Sequence, residues 1–221
     1  PDGSVLVLDP SGTIVEESQL ADPLFQLFNG PGGNVSETLL RDLLGAIDGA
    51  AADARISHMI LDLRKLRGGT LANLLEIGDA LSRFRESGKS VYAHATDYSQ
   101  SQYLLAAHAT EVYLDDGGMN PLGPVFLTGM GVYPLYYEKA LAELKVNYHI
   151  FRAGVFKSAV EPYLRDSMSP ETASETRAWL DVVWGEYLDR IVAQRGLERA
   201  DLEAYSEDYD TLVEATDDLN Q

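Results

Sequence analysis

His58-Met59-Ile60-Leu61-Asp62-Leu63 is a short, almost unbroken apolar run, and Lys65-Leu66-Arg67-Gly68-Gly69 follows it at once. A run of that length reads as a buried strand rather than a helix. Thr70 then starts a helix that sets Leu71, Leu74, Leu75, Gly78, Leu81 and Phe84 on one face, and Gly88 is its stop. Working outward, the same order returns. Ser90 to Ala95 reads as a strand, Ser99 to Ala109 as a helix and Glu111 to Leu114 as a strand. Upstream, Val5 to Asp9 is a short apolar run, and beyond the turn signal Pro10-Ser11-Gly12 the stretch Thr13 to Glu16 can return as its partner strand. A helix from Ser36 to about Asp53 follows, with Leu39, Leu40, Leu43, Leu44 and Ile47 on one face. This alternation predicts an α/β fold with a largely parallel sheet and right-handed crossovers.

Beyond Leu114 the pattern loosens. Asp115 to Pro121 is a turn, Val125 to Val132 reads as a strand, and Pro134 opens a helix through Leu141 and Leu144. Val146 to Arg152 reads as a strand that delivers the chain to Gly154 and Lys157. Ser169-Pro170-Glu171 is a strong helix start, and that helix runs to about Arg195 before Gly196 ends it. Trp179, Leu180, Val183, Trp184, Tyr187, Leu188, Ile191 and Val192 line one side of it, a stripe suited to a core or a subunit contact. From Leu197 to Gln221 stand nine acids and one base, Arg199. Residues 1–221 are read as a single domain, with 197–221 an acidic tail that is partly disordered or cut short of its packing partner.

Composition narrows the function classes. Hydrophobic residues at 45% and charged residues at 24% suit a folded globular chain. Against 17 Lys and Arg stand 35 Asp and Glu, a net charge of −18. Nucleic acid is excluded as a partner, because a binder needs a basic footprint to displace counterions. The absence of cysteine removes disulfides, thiolate catalysis and Cys-based metal sites. No run of about 18 apolar residues spans a membrane. The start at Pro1, with a strand close behind, reads as the beginning of an internal piece of a longer protein.

Lys157 is the candidate catalytic residue. It sits between Val155-Phe156 and Ala159-Val160, and apolar surroundings disfavour its charged form. A neutral lysine can act as a general base near neutral pH. The plainer reading is a lysine that buries its stem and keeps its ammonium wet. His58, His94, His108 and His149 show no metal-ligand spacing, and the turn at Asp115-Asp116 with Asn120 lacks the order of a calcium loop. Neither a dinucleotide fingerprint nor a P-loop occurs, so no cofactor is expected. Gly68-Gly69 before a helix start could hold an oxyanion, or could simply be needed where strand and helix pack closely. For a nucleophile, Ser158 adjoins Lys157 but neighbouring side chains point apart. Ser99 and Ser101, in Tyr98-Ser99-Gln100-Ser101-Gln102-Tyr103, are better placed at a strand-to-helix junction but lack flanking glycines.

From about Gly45 to Leu197 the sequence resembles the N-terminal domain of the signal peptide peptidase A (protease IV) family, in its long bacterial form with two tandem homologous domains. Gly154-Val155-Phe156-Lys157-Ser158-Ala159-Val160-Glu161-Pro162-Tyr163-Leu164-Arg165-Asp166-Ser167-Met168-Ser169-Pro170 carries the resemblance best. The Tyr98 to Tyr103 and Leu135 to Phe151 segments support it. The resemblance implies a fold like the Clp protease and crotonase superfamily, with repeated β-β-α units. It also implies a serine–lysine dyad that degrades cleaved signal peptides, with Lys157 the general base and the serine in a C-terminal domain. Gln100-Ser101 stand where the catalytic domain carries serine followed by glycines, so this chain is expected to be inactive alone. Implied partners are signal peptides, the C-terminal catalytic domain and further copies in a homo-oligomer. The implied location is the bacterial inner membrane, with the soluble part facing the periplasm. Glu161 and Arg165, four apart, are read as structural positioning of the lysine loop. Two rival readings are a non-catalytic assembly module and a crotonase-like acyl-CoA enzyme using Gly68-Gly69 as its oxyanion hole.

Overall fold

The computed structural model describes residues 3–18, 36–115, 124–146, 149 and 158–207. The chain divides into two units, Pro1–Thr128 with Tyr187–Gln221, and Gly129–Glu186.

The first unit is built from one repeated element. A strand is followed by a second, shorter strand and then a helix. The first repeat is β1 (Ser4–Leu8), β2 (Gly12–Val15) and α1 (Leu40–Ala52), with an additional short strand β3 (Glu37–Leu39) just before the helix. The second is β4 (Ile56–Asp62), β5 (Leu66–Gly69) and α2 (Leu71–Glu86), and the third is β6 (Ser90–Ala95), β7 (Tyr98–Ser99) and α3 (Gln100–Ala107). β8 (Glu111–Leu114) and β9 (Val125–Phe126) begin a fourth. The leading strands assemble as a parallel sheet in the order β1-β4-β6-β8. The second strands form two further parallel sheets, β3-β2-β5 and β7-β9. The expected β-β-α repeat and parallel sheet are therefore present.

Register explains which residues are core. Met59 pairs with Val91 and Leu61 with Ala93, and all four side chains are buried on one face. α2 turns Leu74, Ile77, Leu81 and Phe84 inward, and α1 adds Leu43 and Ile47. On the opposite face His58, Tyr92 and Tyr113 stand in a row, ring centroids 5.7 and 6.3 Å apart. Val5, Val7 and Ile60 on that face are exposed. Residues 199–207 form a further helix, so the first part of the acidic tail is ordered secondary structure; 208–221 lie outside the described residues.

The second unit holds α4 (Glu138–Glu143), a 3₁₀ turn (Ser158–Val160), α5 (Glu161–Leu164) and the first part of α6 (Pro170–Arg195). Backbone and ring contacts join α4 to α5: Tyr137 N donates to Pro162 O at 2.7 Å, and Tyr137 stacks on Tyr163 at 6.1 Å. Among its described residues, the buried side chains are Glu161 and Ser169, both polar.

Five expectations need correction. β2 does not return beside β1: β1 pairs with β4, while β2 pairs with β3 and β5 in a separate sheet. Residues 37–39 are strand rather than the start of the helix, because they pair with β2 before the helix begins. β5, expected as loop, is a strand because Leu66, Gly68 and Gly69 pair with β2. The strand expected over 125–132 stops at Phe126, the last residue that pairs with β7. The helix expected from Pro134 starts at Glu138, one residue after Tyr137 N is taken by Pro162 O.

Candidate active site

Parallel strands bring their C-terminal ends to one edge, where ligands bind in open α/β sheets. That edge carries a row of ion pairs. Lys65 Nζ lies 2.5 Å from Asp9, Arg64 lies 2.5 Å from Asp62, and His94 Nε2 lies 2.9 Å from Asp115. The Arg64 guanidinium beside Asp62 holds that carboxyl below its ordinary range, and the His94 bond does the same for Asp115. The sequence hid this row because its members come from four different strands. Each of the three carboxylates is engaged by a basic side chain, and exposed pairs of this kind add little to stability.

Beside it, the β5–α2 turn meets the start of α3. Gly68 is buried with φ 141°, and a Cβ there would lie 3.2 Å from Ser101 Oγ. A Cβ on Gly69 would lie 3.1 Å from Ile14 Cβ. Close packing thus accounts for both glycines without a ligand. The first turn of α2 is closed by Thr70, whose hydroxyl accepts from Asn73 N at 3.2 Å.

Ser99 is committed to structure. Its hydroxyl accepts from Gln102 N at 3.4 Å, while Gln102 Oε1 accepts from Ser99 N at 2.7 Å, forming a reciprocal helix cap. Gln102 also donates to Leu63 O and Leu66 O, both at 2.8 Å, tying α3 to the β4–β5 connection. Ser-x-x-Gln is the sequence signature of that cap, and it marks Ser99 as structural. Ser101 remains half-buried against Gly68. Tyr98 is fully buried, donating to Tyr113 O at 2.9 Å, and burial raises its phenol well above the ordinary value. An apolar cavity of about 200 Å³ lies along this segment, lined by Tyr103, Pro124, Val125, Leu127, Leu202 and Tyr205.

Lys157 lies outside the described residues, and so does its surrounding run 150–156. The 3₁₀ turn from Ser158 follows it and passes straight into α5. Glu161 and Arg165 are joined through the backbone, Arg165 N donating to Glu161 O at 3.0 Å where α5 ends, and no bond between their side chains is seen. Arg165 Nε instead donates to Ser167 O at 3.3 Å. Glu161 turns to the N-terminus of α6, accepting from Ser169 N at 3.1 Å, Ser169 Oγ at 2.5 Å and Thr172 Oγ1 at 3.0 Å. These bonds, Ser169 first, hold the Glu161 carboxyl below its ordinary range. Ser169 was legible as a cap, but its partner eight residues upstream follows no local pattern.

Of the remaining histidines, His108 and His58 make local hydrogen-bond contacts. His108 is fully buried, its Nδ1 3.0 Å from Ser82 Oγ and its Nε2 against Gly78. His58 Nδ1 lies 2.8 Å from Ser57 Oγ.

Comparison with known proteins agrees with this architecture. The profile of peptidase family S49 matches residues 83–215. "Protease 4" of Salmonella typhi is 39% identical over 194 residues, covering 86% of this chain and 31% of that protein. "Protease 4" of Haemophilus influenzae is 40% identical over 158 residues, 72% of this chain and 25% of that protein. "Serine protease SPPA, chloroplastic" of Arabidopsis thaliana is 26% identical over 203 residues, 92% of this chain and 27% of that protein. The chain therefore spans about a quarter to a third of the length of these relatives. With the family profile covering more than half of its residues, the chain belongs to peptidase family S49.

Proposed function

We propose that this chain is the lysine-bearing N-terminal domain of a two-domain serine peptidase that degrades cleaved signal peptides. In this reading Lys157 is the general base, and the nucleophilic serine belongs to a second, homologous domain. Neutral Lys157 takes the proton of that serine as its oxygen attacks the peptide carbonyl. The resulting ammonium returns the proton to the leaving amine, and an acyl-enzyme remains. Water then attacks the ester, with Lys157 again as base, and the serine is regenerated. No metal or organic cofactor enters these steps. A lysine serves this role only when desolvation lowers its pKa, and docking of the second domain would complete that desolvation.

The observation that carries the reading is the fate of Ser99. The strand-to-helix junction best suited to a nucleophile spends that hydroxyl on capping α3. A base at Lys157 therefore looks to another domain for its serine. The short span relative to the Protease 4 relatives supports such a domain. We place the complete peptidase at the bacterial inner membrane with this domain on the periplasmic side. No described helix here is long and apolar enough to cross a membrane.

A serine-directed fluorophosphonate probe tests the reading. This chain alone should remain unlabelled; stoichiometric labelling at Ser99, Ser101 or Ser158 would overturn it. One observation favours the rival reading of an assembly module. Residues 129–186 expose Tyr133, Leu135, Leu144, Trp179 and Val182, a surface suited to covering by the second domain or another copy. That reading alone expects Lys157→Ala in the complete peptidase to keep full activity.

A further inference from the structure

We propose that the open face of the β1-β4-β6-β8 sheet is a docking surface for a short apolar helix that begins with basic residues. The site goes beyond the reading above; naming a cleaved signal peptide as the source of that helix rests on it.

A parallel sheet is ordinarily covered on both faces, and its strands are apolar on both. Here α1 and α2 cover one face, over Met59, Leu61, Val91 and Ala93. The other face is open although it too carries apolar side chains. Val5 and Val7 of β1 are 40% and 58% exposed, and Ile60 of β4 is 36% exposed. Register sets Val7 beside Ile60 and Ile60 beside Tyr92, with Val5 beside His58 in the next row. Tyr113 of β8 extends the field across the sheet, its ring 6.3 Å from that of Tyr92. Apolar side chains exposed singly need no explanation, whereas a contiguous field of them marks a contact surface.

The border of this field is acidic. Asp9, Asp62 and Asp115 stand at the C-terminal ends of β1, β4 and β8. Glu111 pairs in register with Tyr92 and accepts from the Tyr113 hydroxyl at 2.5 Å. Lys65 and Arg64 answer Asp9 and Asp62. Asp115 bonds to His94 and Thr96, and among the described residues neither it nor Glu111 has a lysine or arginine within ion-pair distance. A segment that fits this surface is apolar along its length and basic at the end that meets the border. The net charge of −18 points the same way, since it repels a second copy and an anionic lipid surface and attracts a basic segment.

Size selects a single helix. Four strands span about 14 Å between their outer axes, and the five residues of β1 run about 17 Å. A helix is about 10–12 Å across, so one fills the width, and roughly ten to twelve of its residues fill the length. Lying antiparallel to the strands, it brings its N-terminus, the positive end of its dipole, to the carboxylate border. A cleaved signal peptide has this form, a basic start followed by about 7–15 apolar residues.

The experiment uses the 221-residue chain and a fluorescein-labelled peptide, a few lysines followed by about twelve alternating leucines and alanines, titrated by fluorescence anisotropy. Saturable binding that weakens with added salt is expected. Val7→Thr with Ile60→Thr keeps β-branched side chains suited to a strand while making the field polar. Kd should rise about tenfold, with Tm shifted by less than about 2 °C. Glu111→Gln with Asp115→Asn should raise Kd about threefold and flatten the salt dependence, and a peptide with glutamates for lysines should bind about tenfold more weakly. An unchanged Kd in the threonine variant, no saturable binding, or equal binding of the glutamate peptide would overturn the proposal. So would self-association of the chain that the threonine variant abolishes, which marks a second copy as the occupant, or a fall in Tm as large as that of a core substitution, which marks a face covered by the chain itself. Lys157→Ala in the complete peptidase separates the two claims: retained hydrolysis overturns the general-base reading alone, and failure of the peptide to bind overturns this site alone.

Discussion

The two units reach order by opposite routes. In Pro1–Thr128 with Tyr187–Gln221, Ile47, Met59, Leu81, Phe84 and Val91 are each 0% exposed, a closed apolar core. In Gly129–Glu186 the buried side chains among the described residues are Glu161 and Ser169, while Tyr133, Leu135 and Leu144 stay exposed. α6 carries the contrast along a single helix. Trp179 is 57% exposed, whereas Tyr187, Leu188 and Ile191 are buried. Apolar periodicity is the same throughout, so the pattern alone does not bury a side chain; a complementary surface must meet it. The first unit supplies that surface from its own chain. Among its described residues the second has a polar lock in place of an apolar core.

Stability measurements can break this contrast. Phe84→Ala should cost about 3–5 kcal/mol in urea unfolding of the chain, whereas Trp179→Ala should cost less than about 0.5 kcal/mol. Equal costs would mean that Trp179 is packed after all. His108 gives the next largest effect. Burial pushes its pKa down to about 4, with Arg190 and Arg85 adding to the shift. A histidine buried neutral contributes stability that is complete above the ordinary value of about 6.5 and lost as pH falls toward 4. The loss should be on the order of 2–3 kcal/mol, and His108→Gln should flatten it in thermal melts across that window.

Glycines probe the same core on a smaller scale. A Cβ on Gly78 would lie 2.5 Å from His108 Nε2, and His108 has no exposed direction in which to retreat. Gly78→Ala should therefore destabilise by about 1–3 kcal/mol. At Gly45, in α1, nothing lies within 4 Å, and Gly45→Ala should stabilise by about 0.5–1 kcal/mol. Ser99→Ala should cost about 1 kcal/mol through the lost cap of α3. It should leave peptide hydrolysis by the complete peptidase unchanged; lost hydrolysis at wild-type stability would restore Ser99 as a nucleophile.

The leading strands were legible from short apolar runs bounded by turn signals: Ser90–Ala95 and Glu111–Leu114 stand where the sequence places them, although Tyr113 and Leu114 of β8 stay exposed. α2 was legible from Thr70 and Gly88, a cap and a stop. β3, β5 and β7 were not, since strands of three, four and two residues carry too little pattern, and β5 contains Gly68-Gly69. Their existence depends on partners distant in sequence. The site divides in the same way. Ser99 announces its capping role in Ser-x-x-Gln, a local signal, and Ser169 does so in Ser-Pro-Glu. The Glu161 contact to Ser169 and the row from Asp9 to Asp115 are tertiary, and no spacing rule reaches them. Lys157 was singled out from its apolar neighbours and from the family resemblance, and it lies outside the described residues.

The central claim is that this chain contributes a base to a serine supplied elsewhere. Its most direct test is Lys157→Ala in the complete peptidase, assayed for peptide hydrolysis alongside fluorophosphonate labelling of each domain. The account predicts that hydrolysis falls by about 10²–10⁴-fold, the usual contribution of a general base, and that the wild-type label resides only outside this chain. Hydrolysis retained at the wild-type rate, or label on Ser101 or Ser158, would contradict it.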